Sequence, residues 1–157
     1  MRSQVEALRD VLVRQNWTIS TAESCTGGMC AAALVDLPGS SSWFPGSVIA
    51  YDNSIKKSLL NISEPMLLEH GAVSEPVAIA MARGVRKLCG TTVSCSTTGV
   101  AGPGGGTFEK PVGTVWIGIA TPDGCKAKRL QLNGDRNAIR EQTVQGCFNF
   151  LLENIKA

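Results

Sequence analysis

Four stretches of this chain place chemically capable residues at spacings that a reaction could use. The first is Glu23-Ser24-Cys25-Thr26-Gly27-Gly28, where a serine and a cysteine sit between a β-branched run and an apolar segment. A serine at a strand-to-helix turn can project its hydroxyl into a cleft. The unpaired N–H groups of the residues that follow, Thr26, Gly27 and Gly28, then face developing negative charge, as an oxyanion requires. The same geometry holds a phosphate. A plain capping turn, in which Ser24 or Thr26 only satisfies the helix N-terminus, also fits this spacing.

The second stretch is Tyr51-Asp52-Asn53-Ser54-Ile55-Lys56, with a tyrosine and a lysine five residues apart. A serine nucleophile needs a base, and the single histidine, His70, lies in Glu69-His70-Gly71, which reads as a helix end. A lysine whose pKa is lowered by partial burial and a neighbouring cation or phenol can take the serine proton. Taken alone, Tyr51 and Lys56 more often read as a packed aromatic and a solvated charge.

The third is Thr97-Thr98-Gly99-Val100-Ala101-Gly102-Pro103-Gly104-Gly105-Gly106. Glycine density of this kind lets backbone amides approach an anion, although a surface loop has the same composition. The run matches neither G-x-x-x-x-G-K-[ST] nor G-x-G-x-x-G, so nucleoside triphosphatase and dinucleotide motifs are absent. Last, Gly134-Asp135-Arg136 puts an arginine in the first turn of a helix, where the dipole disfavours a cation. Arg136 therefore needs an acid or a ligand phosphate to face.

The elements that would position these residues follow from periodicity. Val5, Leu8, Val11 and Leu12 recur at helical spacing and predict a helix over 4–15. Trp17 to Thr21 alternates like a strand, and Met29 to Leu37 reads as a helix after the break. Ser47 to Tyr51 predicts a second strand, with Asp52-Asn53 capping the short helix that carries Lys56. Helices over 64–70 and 75–89 precede a strand from Thr92 to Thr98, which ends in the glycine-rich loop. Val112 to Thr121, the turn Pro122-Asp123-Gly124 and a strand over 125–132 predict an antiparallel hairpin. Asp135 caps a closing helix of about 17 residues whose buried face carries Ile139, Val144, Cys147, Phe148 and Leu151. This alternation predicts an α/β fold, a three-layer α/β/α sandwich with a mixed, mostly parallel sheet. Ligands of such folds bind beyond the carboxyl ends of the parallel strands, and both glycine-rich turns follow strands.

Composition excludes several functions. At 157 residues the chain has the size of a single domain, and 43% hydrophobic residues with 17 glycines suit a compact α/β protein. The net charge of +2 is dispersed, with no basic stripe interleaved with aromatics, so nucleic-acid binding has no support. No apolar run is long enough to span a bilayer, and the polar start MRSQVEALRD lacks a signal-peptide core. A cytoplasmic location is expected, with no membrane partner. Six cysteines without a secretory signal read as free thiols, mostly buried. Zinc has no support either, since no C-x-x-C pair occurs and one histidine cannot complete a site.

Seven segments stand in a recognisable order: T-A-E-S-C-T-G-G at 21–28, P-G-S-S-S-W-F at 38–44, Y-D-N-S-I-K at 51–56, H-G-A-V-S-E at 70–75, T-G-V-A-G-P-G-G at 98–105, K-P-V-G-T-V at 110–115 and G-D-R at 134–136. Together they resemble the CinA C-terminal domain, the nicotinamide-nucleotide amidohydrolase family, over nearly the whole chain. The resemblance implies hydrolysis of the carboxamide of nicotinamide mononucleotide to nicotinate mononucleotide and ammonia, within pyridine nucleotide salvage. It implies Ser24 as nucleophile, Lys56 as base and Tyr51 assisting proton transfer or orienting that pair. Thr26, Gly27 and Gly28 would supply backbone donors, and Thr98, Gly99, Gly102, Gly104, Gly105 and Arg136 would hold the substrate and its phosphate. No metal or organic cofactor is implied, and the expected partners are a small-molecule nucleotide and further copies of the chain in a homo-oligomer. Some family members carry an added N-terminal domain resembling molybdopterin-binding proteins, which has no counterpart in these 157 residues. Three alternatives stay open: Cys25 as the nucleophile, because thiols are intrinsically stronger nucleophiles, a non-catalytic nucleotide-binding or competence-associated module, and an amidohydrolase of related but different substrate, such as free nicotinamide or another nucleotide amide.

Overall fold

The computed structural model describes residues 1–155. In chain order the elements are α1 (Arg2–Gln15), β1 (Ile19–Glu23), α2 (Met29–Val35), a 3-10 turn (Ser40–Ser42), β2 (Gly46–Ile49), α3 (Asn53–Leu60), α4 (Glu64–His70), α5 (Glu75–Cys89), β3 (Val93–Gly99), β4 (Thr114–Thr121), β5 (Gly124–Gln131) and α6 (Arg136–Ile155). Local chemistry sets many of the boundaries. The Asp52 side chain accepts from the Ser54 amide at the start of α3, and Ser63 does the same for Met66 at α4. Asn16 and Gly90 close α1 and α5 in the left-handed conformation.

The strands form one mixed sheet in the order β2-β1-β3-β4-β5. β1 runs parallel to β2 and β3, while β4 is antiparallel to β3 and to β5, so every strand except β4 points the same way. Helices α1, α2 and α6 cover one face over a core that includes Leu8, Leu34, Ile117 and Phe148. Helices α3, α4 and α5 cover the other over Val48, Leu60, Val77 and Met81. This is the expected three-layer sandwich.

Strand bounds shift by a residue or two from expectation, for identifiable reasons. The amide of Trp17 bonds back to Leu12 and finishes α1, which moves the start of β1 to Ile19. β1 continues to Glu23 because that residue is paired with Ile49 on one side and Thr97 on the other. β4 begins at Thr114 because Gly113, with φ 91°, turns the chain out of the glycine loop. α6 runs for 20 residues.

One topological feature fixes the site. The chain leaves β1 toward β2 on one side and returns to β3 on the other, so β1 and β3 flank the point where strand order reverses, which opens a crevice at their carboxyl ends. Ser24, Tyr51 and the start of the glycine loop all follow strands that end at this edge.

Candidate active site

The carboxyl ends of β1, β2 and β3 together with the first turn of α6 enclose a cleft of about 220 Å³. Ser24, Cys25, Tyr51, Lys56, Thr98, Gly99 and Arg136 are on its wall. That volume is below the roughly 300 Å³ at which ligand pockets usually begin, and the cleft is open to solvent.

Ser24 begins the turn after β1, its amide bonded to the carbonyl of Thr97 in β3. Lys56 lies one turn into α3 and is 1% exposed. Its Nζ is 3.1 Å from Ser24 Oγ, 2.7 Å from the Ala50 carbonyl and 3.1 Å from the Tyr51 carbonyl. Burial pulls the Lys56 pKa below its ordinary value, against an opposing pull from Asp52. The three partners are a hydroxyl and two carbonyls, with no carboxylate in contact. A neutral amine has two N–H donors and one lone pair. With the donors on the carbonyls, the lone pair faces Ser24, and the arrangement can accept the serine proton.

Cys25 is also on the wall, but burial pushes its thiol up to about 12, so it remains protonated near neutral pH. All six cysteines are free thiols, four of them buried.

Tyr51 is 61% exposed at the mouth. Its hydroxyl meets Arg136 Nη2 at 3.2 Å, and only its main-chain carbonyl reaches Lys56. The phenol is therefore placed toward the arginine rather than toward the serine–lysine pair. Arg136 Nη1 donates to the Gly102 carbonyl at 2.7 Å, which ties α6 to the glycine loop.

The glycines divide. Gly99 lines the cleft, and a Cβ there would lie 2.6 Å from Val115 Cγ2 and 2.9 Å from the Thr114 carbonyl, so β4 packing alone requires glycine. Gly102 offers Arg136 its carbonyl, and Gly104 and Gly105 are exposed outside the cleft wall. Thr98 lines the cleft while its hydroxyl donates to the Ala72 carbonyl. In the β1–α2 turn the expected donors are partly taken, a correction to the sequence expectation. The Gly27 amide bonds the Ser24 carbonyl and the Gly28 amide bonds the Glu23 carboxyl group. Among the described residues no such bond engages the amides of Cys25 and Thr26.

Sequence reasoning missed the two residues that build this turn. Glu23, fully buried, accepts from the amides of Gly28, Cys30 and Ala31 and from the Thr26 hydroxyl. The signal was an acidic residue ending a strand buried on both faces, since a buried carboxyl group requires a set of donors. Arg140 donates to the carbonyls of Cys25 and Thr26, at 3.1 and 2.9 Å. Its signal was the spacing of four from Arg136, which puts both arginines on one helix face.

Comparison with known proteins gives a consistent picture. The sequence profile of the CinA C-terminal domain matches residues 2–155. A CinA-like protein of Dictyoglomus turgidum is 50% identical over 139 residues, 88% of this chain and 34% of that protein. A CinA-like protein of Dictyoglomus thermophilum is 48% identical over 146 residues, 93% of this chain and 36% of that protein. The chain thus spans about a third of the length of these curated relatives. Among solved structures, competence/damage inducible protein CihA from Agrobacterium tumefaciens superposes with a TM-score of 0.96 at 31% identity, covering 99% of this chain and 95% of that one. Competence damage-inducible protein A from Klebsiella pneumoniae gives 0.94 at 29% identity, covering 98% and 96%.

Proposed function

Because the chain belongs to the CinA C-terminal domain family, we propose that it is a serine amidohydrolase that converts nicotinamide mononucleotide to nicotinate mononucleotide and ammonia. The observation that carries this is the buried Lys56 amine, 3.1 Å from Ser24 Oγ, with its two other contacts made to carbonyls. A lysine whose only function was structural would be expected to pair with an acid or reach solvent.

In this reading Lys56 is neutral in the resting enzyme and takes the proton as Ser24 Oγ attacks the carboxamide carbon. The amide of Cys25, on the cleft wall, receives the oxyanion, since those of Gly27 and Gly28 are already engaged and Thr26 is fully buried. Protonated Lys56 returns the proton to the leaving ammonia, and water then releases the acyl group by the same base. Arg136 holds the substrate phosphate at the mouth, where a guanidinium offers a paired donor set, and Tyr51 orients that arginine. Gly104 and Gly105 have no substrate contact in this scheme.

Ammonia release from nicotinamide mononucleotide tests it, with Lys56→Ala alongside. The expected result is turnover by the parent and a loss of about 10³-fold or more in the variant. Binding of the nucleotide without ammonia release would reject the assignment.

A further inference from the structure

On the carbonyl side of the serine turn one cation meets the carbonyls of both Cys25 and Thr26, the latter also accepting from the Met29 amide. Arg140, one helical turn beyond Arg136 in α6, donates from Nε to the Cys25 carbonyl and from Nη2 to the Thr26 carbonyl. In a trans peptide the C=O of one residue and the N–H of the next point in opposite directions. Fixing the Cys25 carbonyl therefore fixes the Thr26 N–H on the far side of the same plane. Fixing the Thr26 carbonyl orients the Gly27 N–H, which bonds the Ser24 carbonyl and so sets the plane bearing the Cys25 N–H. The guanidinium also polarises both peptide units, making their N–H groups better donors. Among the described residues no other side chain holds these two carbonyls, and Glu23 collects donors further along, at Gly28, Cys30 and Ala31.

We propose that Arg140 is a positioning residue for the reaction, one that holds the serine turn so that the amide of Cys25 on the cleft wall is aimed at the oxyanion, without touching substrate. The inference rests on the assignment of Ser24 as nucleophile.

An active-serine probe that does not depend on the natural substrate separates the two. With an alkyl fluorophosphonate, the Ser24 Oγ–P bond forms, the P–F bond breaks, fluoride leaves and the serine proton passes to Lys56, while negative charge develops on the phosphoryl oxygen. Labelling rates are measured by intact mass for the parent, Arg140→Gln and Arg140→Lys. They are measured beside kcat for nicotinamide mononucleotide, the affinity for nicotinate mononucleotide and the thermal midpoint. We expect Arg140→Gln to lose about 10- to 100-fold in both labelling rate and kcat, with product affinity within threefold of the parent. Arg140→Lys, which can hold one carbonyl at a time, should fall between them, and it decides the matter if Arg140→Gln does not fold. Labelling of folded variants at the parental rate would overturn the role of Arg140 while leaving Ser24 as nucleophile. So would a kcat loss matched by an equal loss of product affinity. A parent that is neither labelled at Ser24 nor active would overturn both.

Discussion

In the proposed reaction Ser24 and Lys56 carry the chemistry because no carboxylate contacts the Lys56 amine, so activity depends on its protonation. With its pKa lowered chiefly by burial, the acid limb of kcat/KM should lie below the ordinary lysine range, rising with pH as the amine loses its proton, and should vanish in Lys56→Ala. Stability follows the same group. The folded-state pKa is below the unfolded one, so between them the unfolded chain binds more protons, and stability rises with pH across that window. A penalty from holding a charged lysine is fully present below the folded pKa and is relieved above it. Relative to Lys56→Met, the parent should therefore gain thermal stability as the pH is raised from neutral toward 10.5. A parallel pair of melting curves over that range would contradict the burial argument. The neighbouring thiol gives a second check. Cys25, raised to about 12 by burial, is a poor nucleophile at neutral pH, so Cys25→Ala should keep ammonia release within a fewfold of the parent. Ser24→Ala should lose about 10³-fold or more. Retained activity in Ser24→Ala would transfer the chemistry elsewhere.

At the scale of elements, the β1–α2 turn is held from two sides, by Glu23 through N–H groups and by Arg140 through carbonyls. Glu23→Gln would turn an amide N–H toward backbone donors inside the core, at a cost of about 3 kcal/mol, read as a lowered denaturation midpoint at unchanged m-value. Gly99→Ala would push a Cβ against Val115 and the Thr114 carbonyl, at about 2 kcal/mol. The element pattern was largely legible in the sequence because helix periodicity and caps such as Asp52 and Asp135 are local signals. Each helix appears within a few residues of expectation. Strand ends were less legible, since β1 stops where its neighbours stop, and no local residue encodes Ile49 or Thr97 as partners for Glu23. Glycine density around 99–106 attracted attention for ligand binding, yet Gly99 is required by packing and Gly104 and Gly105 stand clear of the cleft. Composition reports that backbone can come close to something, not what that something is.

The whole molecule brings the pieces together through strand order. Parallel β2, β1 and β3 end on one edge, where Lys56 from α3, Ser24 after β1 and Arg136 from the first turn of α6 meet at a single cleft. No helix among the described residues is long and apolar enough to cross a membrane. Arg136 stands at the mouth of the cleft, bridged to Tyr51 and Gly102, where it is placed to meet a substrate phosphate in the proposed reaction. Substrate preference should therefore depend on the phosphate. Removing it, by offering nicotinamide riboside, is expected to lower kcat/KM about 10²-fold, mainly through KM. Arg136→Ala should erase most of that difference, and Tyr51→Phe should reduce it only a fewfold. A variant that still discriminated as the parent does would move phosphate recognition away from Arg136. The most direct test of the central claim is ammonia release from nicotinamide mononucleotide by the folded protein, beside Ser24→Ala and Lys56→Ala. Turnover by the parent, lost in both variants, is the predicted result; a folded parent that binds the nucleotide and releases no ammonia would contradict the account.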